Sequence, residues 1–229
     1  MSTQKLATNA LHAGHDVAAN GGTRAVPIYQ TSSYVFNNSE HAANLFSLQE
    51  LGFIYTRLNN PTNQILQDRL AAVEGGIGAV VFASGTAAIS TGLLTLLKAG
   101  DHIVASSSLY GGTYNLLSVT LPRFGITTTF VDASNPESFE TAVQDNTRAF
   151  FVESLGNPKL DVLDLEAISI QAKKAEVPFI VDNTVATPAL LNPIKHGANI
   201  VIHSLTKYIG GQGTSLGGAI IDAGTFNWA

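Results

Sequence analysis

The chain has 229 residues, 45% hydrophobic and 13% charged, enough for a real core in one large or two small domains. A net charge of -5, from 12 basic and 17 acidic residues without a basic run, argues against nucleic acid and anionic membrane as partners. With no cysteine there is neither a disulfide frame nor a cysteine-ligated metal site.

The first ten residues lack the apolar core of a secretory signal. Residues 1–58 are rich in Asn, Gly, Ser and Thr, and carry one short helical pattern, His41 to Leu51. They read as an arm that packs on something else, such as a neighbouring subunit. From Pro61 the pattern becomes regular. Thr62 to Val73 has apolar residues at helical spacing, Ile65, Leu66, Leu70 and Val73. Seven short apolar runs follow, at 79–82, 103–104, 127–131, 149–152, 179–181, 200–202 and 219–221. Helical patterns at 86–97, 113–123, 136–143 and 165–174 separate most of them. Uninterrupted apolar strands alternating with helices predict a three-layer α/β fold around a mostly parallel, seven-stranded sheet. The longest apolar stretch, Ala87 to Leu97, is broken by Ser90, Thr91, Gly92 and Thr95 and is too short for a bilayer. A soluble cytoplasmic protein is expected.

In such sheets ligands bind beyond the carboxyl ends of the strands, so the residues after each apolar run are the candidates. Ser84-Gly85-Thr86 begins a helix after a strand, where free N–H groups and the helix dipole suit a phosphate; equally, Ser84 is an ordinary N-cap. No G-x-G-x-x-G or P-loop pattern is present, which argues against dinucleotide and P-loop readings. Asp182 follows a buried run, where a carboxylate is costly unless paired. A protonated pyridine nitrogen would be one partner; capping of the next turn or a metal are others. Lys207 ends the run from Ile200 through two hydroxyls, and desolvation there would prepare it for a Schiff base. Ser204 and Thr206, two apart, would face one way in extended chain and could both bond a phosphate. His203 would point to the other face as a core residue. Tyr110 beside Gly111-Gly112 could stack on a flat cofactor, or lie in a common loop. Tyr55 and Arg57 place a phenol and a guanidinium two apart, the latter a preferred phosphate partner or simply a surface charge. None of these motifs is specific alone; their order on alternating strands is.

In that order the chain resembles the Cys/Met metabolism pyridoxal-phosphate (PLP) enzymes of fold type I, through Pro27 to Ser32, Tyr55-Thr56-Arg57, Asn60-Pro61-Thr62, Ser84-Gly85-Thr86, Tyr110 to Thr113, Glu153 to Pro158, Val181 to Thr184 and His203 to Lys207. The resemblance implies pyridoxal 5'-phosphate bound through Lys207 as internal aldimine, with Asp182 on the pyridine nitrogen. It implies Tyr110 stacked on the ring and Asn157 near the 3-hydroxyl. Ser84, Gly85, Thr86, Ser204 and Thr206 would hold the phosphate. Tyr55 and Arg57 would complete the neighbouring subunit's phosphate site, and Lys207, Tyr55 and Tyr110 would be the catalytic set. No metal is implied. The division is an arm, 1–58, that contacts a neighbouring subunit, and a PLP-binding large domain, 59–229. The expected assembly is a homo-oligomer with shared sites, at least a dimer and in full a homotetramer.

Within the family, His41 to Phe46 leading to Ile54 to Arg57, and Gly210 to Ser215, look most like O-acetylhomoserine sulfhydrylases. The implied reaction is γ-replacement on O-acetylhomoserine by sulfide or a thiol, giving homocysteine or methionine plus acetate. Cystathionine γ-synthase, cystathionine γ-lyase and methionine γ-lyase remain open, as does a truncated non-catalytic PLP-binding fragment. Family members are nearly twice as long. The resemblance reaches the last strand of the large domain, Gly217 to Asp222, and the C-terminal domain is expected to be missing. The arginine for the substrate carboxylate belongs to that domain, so no residue here takes that role.

Overall fold

In the computed structural model, which describes residues 5–228, each of the seven apolar runs is a strand. They are β1 (Gly78–Phe82), β2 (His102–Ser106), β3 (Thr127–Val131), β4 (Thr147–Glu153), β5 (Phe179–Asp182), β6 (Ile200–Ser204) and β7 (Gly218–Asp222). One sheet takes the order β1-β7-β6-β5-β4-β2-β3. All pairs are parallel except those of β7, which runs antiparallel to both β1 and β6. The chain is therefore α/β with a mostly parallel sheet, as expected.

The helices are α1 (Leu6–His12), α2 (Ser39–Phe46), α3 (Pro61–Glu74), α4 (Gly85–Leu96), α5 (Gly111–Asn115), α6 (Glu137–Thr141), α7 (Leu165–Lys174) and α8 (Thr187–Leu190). Continuous apolar strands need cover on both faces, and both receive it. On one face Val104, Phe150, Val152, Val181 and Val201 pack with Leu70 of α3 and Ile168 of α7. On the other Ile103, Phe151, Ile180 and Ile202 pack with Ala88 and Leu93 of α4. Each large side chain removed from water here stabilises the fold by about 1.5–3 kcal/mol before entropy is counted.

Four elements differ from expectation, one of them the unanticipated single turn of α8, Thr187–Leu190. The helix expected over Thr113 to Arg123 is α5 followed by a π turn, Leu116–Thr120, and a 3-10 turn, Leu121–Phe124. Pro122 cannot donate in a continuing α-helix, and Leu121 N–H instead reaches back to Leu116 C=O. The helix expected over His41 to Leu51 stops at Phe46. Leu48 and Leu51, exposed and without an apolar face to join, follow in a turn whose N–H groups at Gln49 and Glu50 return to Asn44 C=O. Helix α1 has too little periodicity in Leu6–His12 to be anticipated.

The arm is pinned to α3 of its own chain. Arg69 Nε donates to Ala13 C=O at 2.9 Å. Thr62 Oγ1 donates to Pro27 C=O at 2.9 Å and accepts Tyr29 N–H at 2.9 Å. No helix among the described residues is long and apolar enough to cross a membrane.

Candidate active site

The start of α4 is built to leave donors free. Ser84 is extended, and its Oγ accepts the Ala87 N–H at 3.1 Å, so the expected N-cap is present. This leaves the N–H groups of Gly85 and Thr86 without an acceptor among the described residues. The turn sits hard against the ends of β6 and β7. A Cβ on Gly85 would lie 2.6 Å from Ser204 Cβ, and one on Gly218 would collide with the Ser84 carbonyl. Only glycine allows that approach.

Beside it, Asp182 Oδ1 accepts Thr184 N–H at 3.0 Å and Thr184 Oγ1–H at 2.5 Å. The same hydroxyl accepts the Ser204 N–H at 2.7 Å, tying β5 to β6. Both bonds to Asp182 fall on one oxygen, which leaves the other for an outside donor. Burial pushes the Asp182 carboxyl above its ordinary range; the Thr184 hydrogen bonds and the charge of His203 oppose it. Strand alternation puts Asp182, Ser204 and Glu153 on the α4 face, with Glu153 in register beside Asp182.

Tyr110 precedes α5 and is about half exposed (52%). Gly111 and Gly112 do not lie in a loop but form the first turn of α5. A Cβ on Gly112 would stand 2.5 Å from Tyr110 Cε1, so the glycine makes room for the ring. The Tyr110 N–H donates to Glu153 Oε1 at 2.7 Å, and the Asn157 backbone lies near enough to that carboxyl to favour its charged form. Asn157, in the loop after β4, thus stands near the same sheet end.

Two expectations around Lys207 need correction. The backbone is not extended from Ser204 to Thr206. The ladders end at Ser204, so the chain turns and Lys207 N–H returns to Ser204 C=O at 3.2 Å. Thr206 Oγ1 meets Gly217, donating to its C=O at 3.3 Å and accepting its N–H at 3.1 Å. Lys207 is also not enclosed. Three residues beyond the sheet, in a turn, it is exposed. His203 is the core residue expected: fully buried, its Nε2 stands 2.5 Å from Glu74 Oε1 on the α3 face.

The structure thus gathers Ser84, Gly85, Thr86, Tyr110, Asn157, Asp182 and Ser204 at one sheet end, with Thr206 and Lys207 leading away from it. Tyr55 and Arg57 stand apart within one chain. Tyr55 bridges Ser33, and the Arg57 guanidinium lies 5.3 Å from the Tyr55 ring centroid. With Gln30, Ser32 and Asn60 they line an open depression on the arm. Sequence reasoning gave no role to Glu153 or Thr184. The signal for Glu153 was available: like Asp182, it is an acid closing a buried apolar strand.

These residues suit PLP. Free N–H groups at a glycine-floored helix start match a phosphate. A buried carboxylate with an open oxygen matches a pyridinium, and a half-exposed tyrosine stands nearby.

Comparison with known proteins agrees. The family model of Cys/Met metabolism PLP-dependent enzymes matches residues 7–229. An O-acetyl-L-homoserine sulfhydrylase of Leptospira meyeri is 58% identical over 224 residues, 98% of this chain and 51% of its own. A homocysteine synthase of Schizosaccharomyces pombe is 50% identical over 229 residues, 100% of this chain and 53% of its own. A Campylobacter jejuni crystal structure, described as an O-acetylhomoserine (thiol)-lyase carrying N'-pyridoxyl-lysine-5'-monophosphate, superposes with a TM-score of 0.94. It is 46% identical, over 97% of this chain and 55% of that one. The chain spans about half the length of the curated relatives it matches. Fold, strand-end chemistry and these likenesses converge, and the chain belongs to the Cys/Met metabolism PLP-dependent enzyme family.

Proposed function

We propose that the chain is the PLP-binding part of an O-acetylhomoserine sulfhydrylase, which replaces the acetate on Cγ of O-acetylhomoserine with sulfide or a thiol. The observation that carries this reading is the cluster of Gly85, Ser204, Thr184 and Asp182 at one sheet end, in a chain 58% identical to a sulfhydrylase. When bound, PLP supplies the electron sink that stabilises negative charge on substrate carbons. Asp182 would keep the pyridine nitrogen protonated, a pairing that would offset the cost of burying that carboxylate. The N–H groups of Gly85 and Thr86, with the hydroxyls of Ser84 and Ser204, would hold the phosphate, and Thr206 would join them once its hydroxyl leaves the Gly217 carbonyl. Tyr110 would cover the ring and Asn157 would stand near its 3-hydroxyl. Lys207 would carry the amine that anchors the cofactor and would move protons between the substrate carbons.

Tyr55 and Arg57 serve the site of a neighbouring subunit. Arm residues 1–58 make that contact, and residues 59–229 form the PLP-binding domain. The working enzyme is a cytoplasmic homotetramer. Borohydride reduction with PLP, then peptide mapping, should place a pyridoxyl group on Lys207. The full-length protein should release acetate and form homocysteine in equal amounts from O-acetyl-L-homoserine and sulfide. A 2-oxo acid with ammonia would make it a lyase, and cystathionine from cysteine a synthase. Labelling without turnover would make it a PLP-binding protein only, and no label on Lys207 would overturn the cofactor assignment.

A further inference from the structure

Glu153 closes β4 with a carboxyl that is almost fully buried (5% exposed). It takes the Tyr110 N–H, from the segment before α5, at 2.7 Å, and the Asn157 backbone in the loop after β4 lies near enough to act on its charge. One side chain therefore fastens the segment that brings Tyr110 to the sheet end, beside the loop that carries Asn157, and it stands in register with Asp182 on the next strand. We propose that Glu153 is a positioning residue of the cofactor site, holding the Tyr110 segment in place beside Asp182 and the Asn157 loop. The proposal rests on the PLP reading of that site.

An acid here is costly, and the surroundings decide its form. Burial pushes the Glu153 carboxyl up to about 8, and the charges of Asp182 on β5 and Asp161 in the following loop add to the rise. The Tyr110 N–H and the Asn157 backbone act the other way. Protonated, Glu153 still accepts the Tyr110 N–H without setting a second anion beside Asp182. The native-state value lies above the ordinary 4.5, so this contribution is complete below 4.5 and is lost as pH rises through about 8.

The test uses the full-length protein with Glu153→Gln and Glu153→Ala. Hydrogen exchange would be followed at the Tyr110 amide, and PLP affinity by absorbance across neutral to alkaline pH. Glutamine keeps a neutral acceptor. It should preserve that amide and hold PLP within about twofold of wild type, while abolishing the alkaline fall in affinity. Alanine should expose the amide and weaken PLP about tenfold or more. If the alanine protein does not fold, the glutamine profile decides. A glutamine variant that keeps the wild-type alkaline fall would overturn the proposal. So would an alanine variant with the Tyr110 amide protected and PLP affinity unchanged. A wild-type protein that takes up no PLP overturns the cofactor reading itself, an outcome that requires no variant.

Discussion

Single atoms set the tolerances of this site. At Gly85 a methyl group would stand 2.6 Å from Ser204 Cβ and 2.9 Å from Ser204 Cα, and Ser204 is fixed through Thr184 to Asp182. Gly85→Ala must therefore push the start of α4 away from β6 or disturb the Asp182 bonds. It should cost about 1–3 kcal/mol of stability, as overpacking does, and weaken PLP binding. Thermal unfolding and a PLP titration of the variant check this; an unchanged midpoint with unchanged affinity would show that the helix start has room to move. At this scale the sequence was partly legible. Asp182 could be picked out because an acid after an apolar run stands out from its neighbours. Its hold on Thr184, and that hydroxyl's hold on Ser204, could not, because hydrogen bonds between separate loops leave no periodic trace.

Elements carry these atoms to their places, and their ends matter more than their lengths. Asn60 caps α3 by accepting the Thr62 N–H at 2.9 Å, while its Nδ2 donates to Tyr29 C=O at 2.9 Å. One buried side chain thus starts the helix and ties down the arm that bears Tyr55 and Arg57. Asn60→Ala should lower stability by about 1–2 kcal/mol, and limited proteolysis should then cut faster between Pro27 and Arg57. Equal cleavage rates in both proteins would mean that Thr62 and Arg69 hold the arm without it. Strands were the most legible elements, because burial on both faces forces unbroken apolar runs such as Phe150 to Val152. Helix breaks were not, as at Leu121-Pro122, where the apolar pattern continues across a change of winding. The turn after Ser204 was misjudged for a related reason. Hydroxyls two apart suggest extended chain only while a neighbouring strand continues, and the ladders there stop.

At the scale of the whole molecule, the exposure of Lys207 and the isolation of Tyr55 and Arg57 within one chain both fit a site completed by a second copy. Mixing two inactive full-length variants, Arg57→Ala and Lys207→Ala, tests this. If sites are shared between paired subunits, random reassembly should restore about a quarter of the sites, read as recovered turnover. No recovery after confirmed subunit exchange would place Arg57 and Lys207 in the same subunit's site. A last consequence follows from the antiparallel insertion of β7. Strand β1, made early, has β7 as its sheet partner, and β7 is made after every other strand. During synthesis the apolar segment Ala79 to Phe82 must therefore wait on the ribosome for Gly218 to Asp222 to emerge. The helix start that follows it gains its floor only then, so a nascent chain acquires its phosphate cradle in one late step.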